Sequence, residues 1–238
     1  MECKKRLRNK EAHLRARERA MQEKGLKAKG IFLDLDGTIV DSTEAYIEAA
    51  RVAFQTIGQK PPGKETALEI PKRLEQGLSI TDITNCESKE FLDVYLKTYY
   101  SITRQKTKLI PNVSSALGAL AEKNKLVLLT MRCVPKRSLM RELEFFGVSK
   151  YFACVVTALD SFKPKPSPEA LISCVGALDV ELSGCLIVGD SVNDIRAGKA
   201  AGVRTVAVLS GLFRCGELAR EEPDLILDDV TALPRFVE

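Results

Sequence analysis

The chain has 238 residues, 45% hydrophobic and 29% charged, with a formal net charge of +4 at pH 7. No apolar run reaches the ~20 residues that span a bilayer, and none follows the basic first residues, so we expect neither a membrane span nor a secretory signal. The seven cysteines are scattered without a CxxC pair, which fits reduced thiols in a cytoplasmic protein better than disulfides or a zinc site. The only histidine, His13, lies in the charged N-terminal stretch, so carboxylates rather than histidines should carry the chemistry.

The positive charge is concentrated at the N-terminus. Residues 1–30 contain eleven Lys or Arg and four Asp or Glu, a net charge of +7, which leaves −3 of the overall +4 for the rest of the chain. A basic extension of this kind, over residues 1–29, can contact nucleic acid or an anionic surface. We favour the alternative that it is a solvated, partly helical extension.

From residue 30 onward, short apolar runs alternate with segments of helical spacing. The apolar runs are 31–33, 126–129, 155–156, 186–188, 206–208 and 225–227. The helical segments between them are 113–123, 136–146, 168–178 and 193–201. This alternation predicts an α/β fold with a parallel sheet covered on both faces. In such sheets, binding sites form at the carboxyl ends of the strands.

One stretch interrupts the alternation. Residues 42–108 have helical spacing, clearest over 44–57 and 89–104, and contain no convincing buried strand. We interpret them as a small helical domain inserted after the first strand. The core domain is then expected to comprise residues 30–41 and 109–238.

Two carboxylates, Asp34 and Asp36, follow the first apolar run and precede a turn at Gly37. Alternation along a strand points both to the same side, unless the turn redirects the second. Two acids this close are natural Mg²⁺ ligands, and an aspartate is also a credible nucleophile towards phosphorus. Taken alone, Asp-x-Asp-Gly could equally be only a turn.

A second acidic pair follows another apolar run. Asp190 and Asp194 lie four residues apart at the entrance to a helix, so they can face one centre. The alternative is that Asp190 or Ser191 caps that helix. Both hold together if Ser191 is the cap and Asp190 binds metal. The second pair favours a site over a mere turn at Asp34.

Thr130 and a loop of lysines and prolines offer groups for an anion. Thr130 follows the apolar run 126–129 and supplies a hydroxyl. Residues 162–168 (Phe-Lys-Pro-Lys-Pro-Ser-Pro) place Lys163 and Lys165 in a loop that the prolines make rigid. A fixed positive charge suits a phosphate oxygen, although either lysine alone could equally be an exposed loop residue.

In chain order, these four segments resemble the haloacid dehalogenase-like superfamily of phosphohydrolases. The segments are residues 34–38 (Asp-Leu-Asp-Gly-Thr), Thr130, the Lys-Pro-x-Pro loop and residues 189–194 (Gly-Asp-Ser-Val-Asn-Asp). The resemblance covers the chain from about residue 30 to its end and leaves the basic extension outside. It implies a Rossmann-like, doubly wound parallel sheet with a small helical cap of the C1 type, at the position of residues 42–108.

The resemblance also implies a Mg²⁺-dependent enzyme that works through an aspartyl-phosphate. Asp34 corresponds to the family's nucleophile and is also a metal ligand. Asp36 corresponds to the general acid and base, and its backbone carbonyl is a further metal ligand. Thr130 corresponds to the residue that hydrogen-bonds the phosphoryl group during its transfer.

The later motifs supply the rest of the implied site. Asp190 would complete the metal site, and Asp194 would support the metal directly or through water. Lys163 and Lys165 both begin a Lys-Pro-x-Pro frame. We favour Lys165 as the phosphate-binding lysine because residues 165–169 run into the helix as the family pattern does.

Within the superfamily, Gly189, Asp190 and Asp194 are similar to the phosphoglycolate phosphatase group. The resemblance therefore implies a phosphatase for a small-molecule phosphate monoester, with a pyrophosphatase or nucleotidase as the next candidate. A sugar-phosphate mutase is less favoured because mutases tend to carry Glu-Asp at 189–190, and a dehalogenase would lack Asp36. A non-catalytic binding module is the remaining alternative. We expect a cytoplasmic monomer or homodimer acting on a small phosphorylated substrate.

Overall fold

The computed structural model describes residues 25–85, 89–160 and 163–237. Most of the expected basic extension, residues 1–24, therefore lies outside the described residues. The chain divides into two compact units. Among the described residues, the core unit comprises those from 25 to Ile39 and from Pro111 onward, and the inserted unit is Val40–Ile110.

A six-stranded sheet forms the centre of the core unit. The strands of the described chain are β1 Gly30–Leu33, β2 Val40–Asp41, β3 Lys108–Leu109, β4 Lys125–Leu129, β5 Phe152–Val156, β6 Cys185–Gly189, β7 Arg204–Val208 and β8 Leu225–Leu227. The core strands pair in the order β5-β4-β1-β6-β7-β8, and every pairing is parallel. Strands β1 and β6 are buried at every residue, as expected of interior strands covered on both faces, and for this reason they are unbroken apolar runs.

Helices alternate with these strands. The helices of the described chain are α1 Thr43–Thr56, α2 Lys64–Glu75, α3 Thr81–Thr84, α4 Lys89–Lys106, α5 Val113–Ala121, α6 Lys136–Phe145, α7 Glu169–Leu178, α8 Val192–Ala201 and α9 Cys215–Leu218. Short 3₁₀ turns lie at Ser149–Tyr151, Leu182–Gly184, Ala219–Glu221 and Val230–Arg235. The predicted α/β fold with a Rossmann-like parallel sheet is confirmed.

The inserted unit is helical. Helix α1 packs chiefly against α4, and it approaches closely because the residues on its buried face are mostly alanine. Phe91 of α4 lies edge-on to Phe54 of α1, with ring centroids 5.1 Å apart. Sequence spacing located α1 and α4 but did not resolve α2 and α3. It also missed the antiparallel ribbon β2–β3, because two strands of two residues each show no periodicity. That this unit acts as a cap stays a prediction.

The described residues contain neither a membrane-spanning helix nor a disulfide. None of their helices combines the length and apolar character needed to cross a membrane. The described cysteines are free thiols, namely Cys133, Cys154, Cys174, Cys185 and Cys215.

Candidate active site

The three central strands bring the predicted site residues to one edge of the sheet. Strand β1 lies between β4 and β6, with Leu33 in register with Leu128 on one side and Val188 on the other. Asp34 therefore leaves the sheet within one residue of the level of Thr130, which follows β4, and of Asp190, which follows β6. The Asp34 backbone N–H donates to the Val188 carbonyl at 2.9 Å, which ties the first motif to β6.

Lys165 reaches into this edge of the sheet, and Lys163 does not. The Lys165 Nζ donates to Asp34 Oδ1 at 2.6 Å, to Asp194 Oδ1 at 2.6 Å and to the Leu129 carbonyl at 3.1 Å. Only 1% of its side chain is exposed. The Lys163 side chain is 70% exposed, and its Nζ lies 3.7 Å from a Glu169 carboxylate oxygen. Of the two lysines that the sequence left open, the structure places Lys165 beside the expected nucleophile.

Three carboxylates converge beside this lysine. Asp34, Asp190 and Asp194 each offer an oxygen, and these oxygens lie within 4.8 Å of one another. Asp194 is held in place by Ser191, whose backbone N–H and hydroxyl both donate to Asp194 Oδ2. The Ser191 hydroxyl also caps α8 by accepting from the backbone N–H groups of residues 193 and 194. Ser191 is thus the helix cap, which leaves Asp190 for another role.

Burial and charge determine the protonation of this centre. Burial raises the pKa of Asp34 from 3.8 to about 7; the Lys165 ammonium opposes that rise, and the Asp194 charge adds to it. Burial alone would lower the pKa of Lys165, but the carboxylates of Asp194 and Asp34 raise it above its ordinary range. Lys165 is therefore a permanent cation, whereas Asp34 stands near the balance between its neutral and ionised forms.

The same residues fit a divalent cation. When Asp34, Asp190 and Asp194 are ionised, their three negative charges face the single positive charge of Lys165 in a buried position. An uncompensated buried charge is costly, so this arrangement favours a further cation. A set of carboxylate oxygens within 4.8 Å of one another is the kind of ligand set that Mg²⁺ prefers.

Asp36 has a different partner from Asp34. Arg132 donates to both carboxylate oxygens of Asp36, from Nε to Oδ2 at 2.7 Å and from Nη2 to Oδ1 at 2.6 Å. Its third nitrogen, Nη1, donates to Glu142 Oε1 at 2.8 Å. The Arg132 backbone N–H also donates to the Thr130 hydroxyl at 3.2 Å. Arg132 and Glu142 were missed from the sequence. The available signal was Glu142 itself, an acid beside Leu139 and Leu143 on the apolar face of α6.

A loop after β7 also reaches the site and was not predicted. The Leu212 backbone N–H donates to Asp190 Oδ2 at 3.1 Å, and the Ser210 hydroxyl donates to the Gly37 carbonyl at 2.6 Å. A side chain at Gly211 would overlap the carboxylate of Asp190, so only glycine lets this loop pass so close. Its sequence signal was a Ser-Gly turn after an apolar strand, but without the strand order nothing placed β7 beside β6.

The chain also matches a known protein family. Residues 31–208 match the family described as "Haloacid dehalogenase-like hydrolase", a range that covers most of the core unit and the whole inserted unit. The chain belongs to this family. The expected membership in the haloacid dehalogenase-like hydrolases is therefore confirmed.

The chain is also similar to individual proteins within the haloacid dehalogenase-like hydrolases. The chain is 28% identical over 213 residues to a phosphoglycolate phosphatase of Pseudomonas fluorescens (strain Pf0-1), covering 85% of this chain and 77% of the relative. It is 29% identical over 219 residues to a candidate pyrophosphatase, PpaX, of Caldanaerobacter subterraneus subsp. tengcongensis, covering 90% and 96%. The crystal structure of a predicted phosphoglycolate phosphatase from Haemophilus somnus 129pt has the same fold, with a TM-score of 0.71, 24% identity and coverage of 87% and 96%.

Proposed function

We propose that this phosphoric monoester hydrolase is Mg²⁺-dependent and hydrolyses a small-molecule monoester of the phosphoglycolate type through a phosphoryl group carried on Asp34. The observation that carries the proposal is the contact of Lys165 with Asp34 and Asp194 at the carboxyl ends of the central strands. It sets a nucleophilic carboxylate beside a fixed cation, which phosphoryl transfer needs in order to bring an anion to a dianionic phosphate.

The oxygens of Asp34, Asp190 and Asp194 would hold the metal, together with the backbone carbonyl of Asp36. When bound, Mg²⁺ supplies positive charge that neutralises and orients the phosphate. Lys165 acts on Asp34 directly, since its charge lowers the pKa of that carboxyl and so favours the anionic form that attacks. The Thr130 hydroxyl is available for a hydrogen bond to a phosphoryl oxygen.

The reaction runs in two steps. In the first, a carboxylate oxygen of Asp34 bonds to phosphorus, the ester P–O bond breaks, and Asp36 donates a proton to the leaving oxygen. In the second, Asp36, now ionised, takes a proton from a water molecule whose oxygen attacks phosphorus. The bond between phosphorus and Asp34 then breaks, which releases inorganic phosphate and restores both carboxyl groups.

Phosphate release from p-nitrophenyl phosphate, with Mg²⁺ or with EDTA, tests this proposal. We expect Mg²⁺-dependent turnover that is lost in Asp34→Asn. Asp179→Asn is the matched control because Asp179 is exposed at the end of α7 in a left-handed conformation that asparagine also adopts. Turnover that persists in Asp34→Asn, or a wild type that is inactive with Mg²⁺, would show the proposal to be wrong.

A pyrophosphatase is the second candidate, favoured by the 29% identity to PpaX. The same site residues would serve, and only the leaving group would change from an alcohol to phosphate. Comparing kcat/KM for phosphoglycolate, pyrophosphate, nucleoside monophosphates and sugar phosphates separates the candidates. The highest value for phosphoglycolate supports the first proposal, and the highest for pyrophosphate replaces it with the second.

We further propose a cytoplasmic monomer or homodimer, and gel filtration of the purified protein distinguishes these two oligomeric states.

A further inference from the structure

A chain of buried charges links the expected acid/base residue to helix α6. It runs from Asp36 through Arg132 to Glu142, with the exposed fractions of the three side chains at 14%, 4% and 9%. The three contacts lie between 2.6 and 2.8 Å. A buried charge needs an oppositely charged partner beside it. Asp36, Arg132 and Glu142 supply such partners to one another, so the three side chains are held in place together.

The hydrogen bonds of Arg132 distinguish between two roles, the recognition of substrate and the positioning of another side chain. An arginine that recognises substrate directs its fork of donors towards the ligand. Here Nε and Nη2 are taken by Asp36 and Nη1 by Glu142, and all three acceptors belong to the protein. The guanidinium is therefore directed at Asp36, and Glu142 prevents it from turning away.

We infer that Arg132 is a positioning residue that orients the carboxyl group of Asp36 for proton transfer, and that Glu142 fixes Arg132. The inference rests on the proposed function, because it concerns the residue that protonates the leaving oxygen. A planar guanidinium that bonds both oxygens of a carboxylate sets the plane of that carboxylate, which a lysine ammonium cannot do. Because both Asp36 oxygens accept from Arg132 in the structure, the oxygen that carries the proton must give up its guanidinium donor, while the other oxygen keeps its own.

The position of Arg132 in the chain supports this role. It lies two residues after Thr130, at the carboxyl end of β4, which pairs directly with β1. Its backbone N–H donates to the Thr130 hydroxyl, so the turn that carries the arginine also holds the threonine. One short turn thus places both the expected phosphoryl-binding hydroxyl and the group that orients the expected acid.

Two aryl phosphates that differ in their leaving groups test the inference. Phenol is a poorer leaving group than p-nitrophenol and gains more from protonation. We expect Arg132→Lys to lower kcat/KM for phenyl phosphate about tenfold more than for p-nitrophenyl phosphate, a modest part of the roughly 10²–10⁴-fold that general acid catalysis contributes. Asp36→Asn should show the same preference more strongly, and Glu142→Gln the same preference more weakly. A merely structural defect would lower both values by the same factor.

The matched control is Arg196→Lys, since Arg196 forms a similar two-pronged pair with Glu221 on the exposed side of α8. Arg196→Lys should leave kcat/KM unchanged for both substrates. If Arg132→Lys fails to fold, as judged by thermal unfolding, the double variant Arg132→Met/Glu142→Met removes both charges together and should show the same selective loss.

The outcomes separate this inference from the proposed function. A wild type that hydrolyses neither ester, or an active Asp34→Asn, overturns the proposed function and the inference with it. A wild type that hydrolyses both, with Arg132 variants that lose both activities equally or lose neither, overturns the inference alone. A selective loss for phenyl phosphate supports it.

Discussion

Replacing Lys165 with methionine removes the cation that bridges Asp34 and Asp194. Methionine keeps most of the length and the apolar stem of the side chain but removes the ammonium that lies 2.6 Å from a carboxylate oxygen of Asp34 and of Asp194. Removing one partner of a buried ion pair typically costs about 3–5 kcal/mol of unfolding free energy. We expect a loss of that size near pH 7 in the absence of metal.

The loss should depend on pH in a defined direction. In the wild type the pKa of Asp34 is about 7 with the opposing charge of Lys165 present, so in Lys165→Met it must be higher. Above pH 7 the folded variant keeps a proton that the folded wild type releases, so the variant loses stability relative to the wild type as pH rises. At about 1.4 kcal/mol for each pH unit, the loss should grow by about 2 kcal/mol between pH 7 and about pH 8.5.

Urea unfolding of wild type and variant in EDTA, near pH 6 and pH 8.5, measures both quantities. Lys163→Met is the matched control, because that side chain is 70% exposed in the same loop, and we expect it to change stability by less than about 0.5 kcal/mol. A small or pH-independent loss for Lys165→Met, or an equal loss for Lys163→Met, would refute the electrostatic reasoning.

Three further predictions concern the acidic centre. Gly211→Ala should raise the Mg²⁺ concentration needed for half-maximal activity about 10–100-fold, because the alanine side chain would displace Asp190. The control is Gly216→Ala, whose side chain meets no atom within 4 Å and should leave that concentration unchanged. Equal effects of the two substitutions would contradict the prediction. In EDTA the Asp34 carboxyl should reduce the stability of the wild type by about 3 kcal/mol as pH rises from 4 to 7, because the folded state keeps the Asp34 proton over most of that window. Urea unfolding at several pH values should show this contribution in the wild type and not in Asp34→Asn. Mg²⁺ should raise the melting temperature more at pH 8 than at pH 5.5, since it binds ionised carboxylates, and an equal shift at both would argue against this ligand set.

The sequence predicted the elements whose signals are local. The strands that precede Asp34, Thr130 and Asp190 are mainly apolar because they are buried on both faces, and each is followed directly by one of these polar residues. The spacing of Asp190 and Asp194 across one turn at the start of α8 indicated their convergence. These features depend on neighbours within a few residues, which the sequence displays directly.

The residues that were missed depend on contacts between distant segments. Arg132 meets Asp36 across 96 positions of sequence, and Leu212 meets Asp190 across 22. Neither contact follows from periodicity, because it requires the strand order that places β4 and β6 beside β1 and β7 beside β6. Lys163 and Lys165 both begin a Lys-Pro-x-Pro frame, and the sequence favoured Lys165 only through the resemblance of residues 165–169 to the family pattern; its contact with Asp34 depends on the folded loop.

The most direct test of the account is the covalent phosphoryl group on Asp34. The protein is mixed with Mg²⁺ and p-nitrophenyl phosphate, quenched with acid during turnover, and digested for mass spectrometry. The account predicts one added phosphoryl group on the peptide that contains Asp34, its removal by hydroxylamine, and its absence from Asp34→Asn. Turnover by the wild type with no phosphoryl group on this peptide, or undiminished turnover by Asp34→Asn, would contradict it.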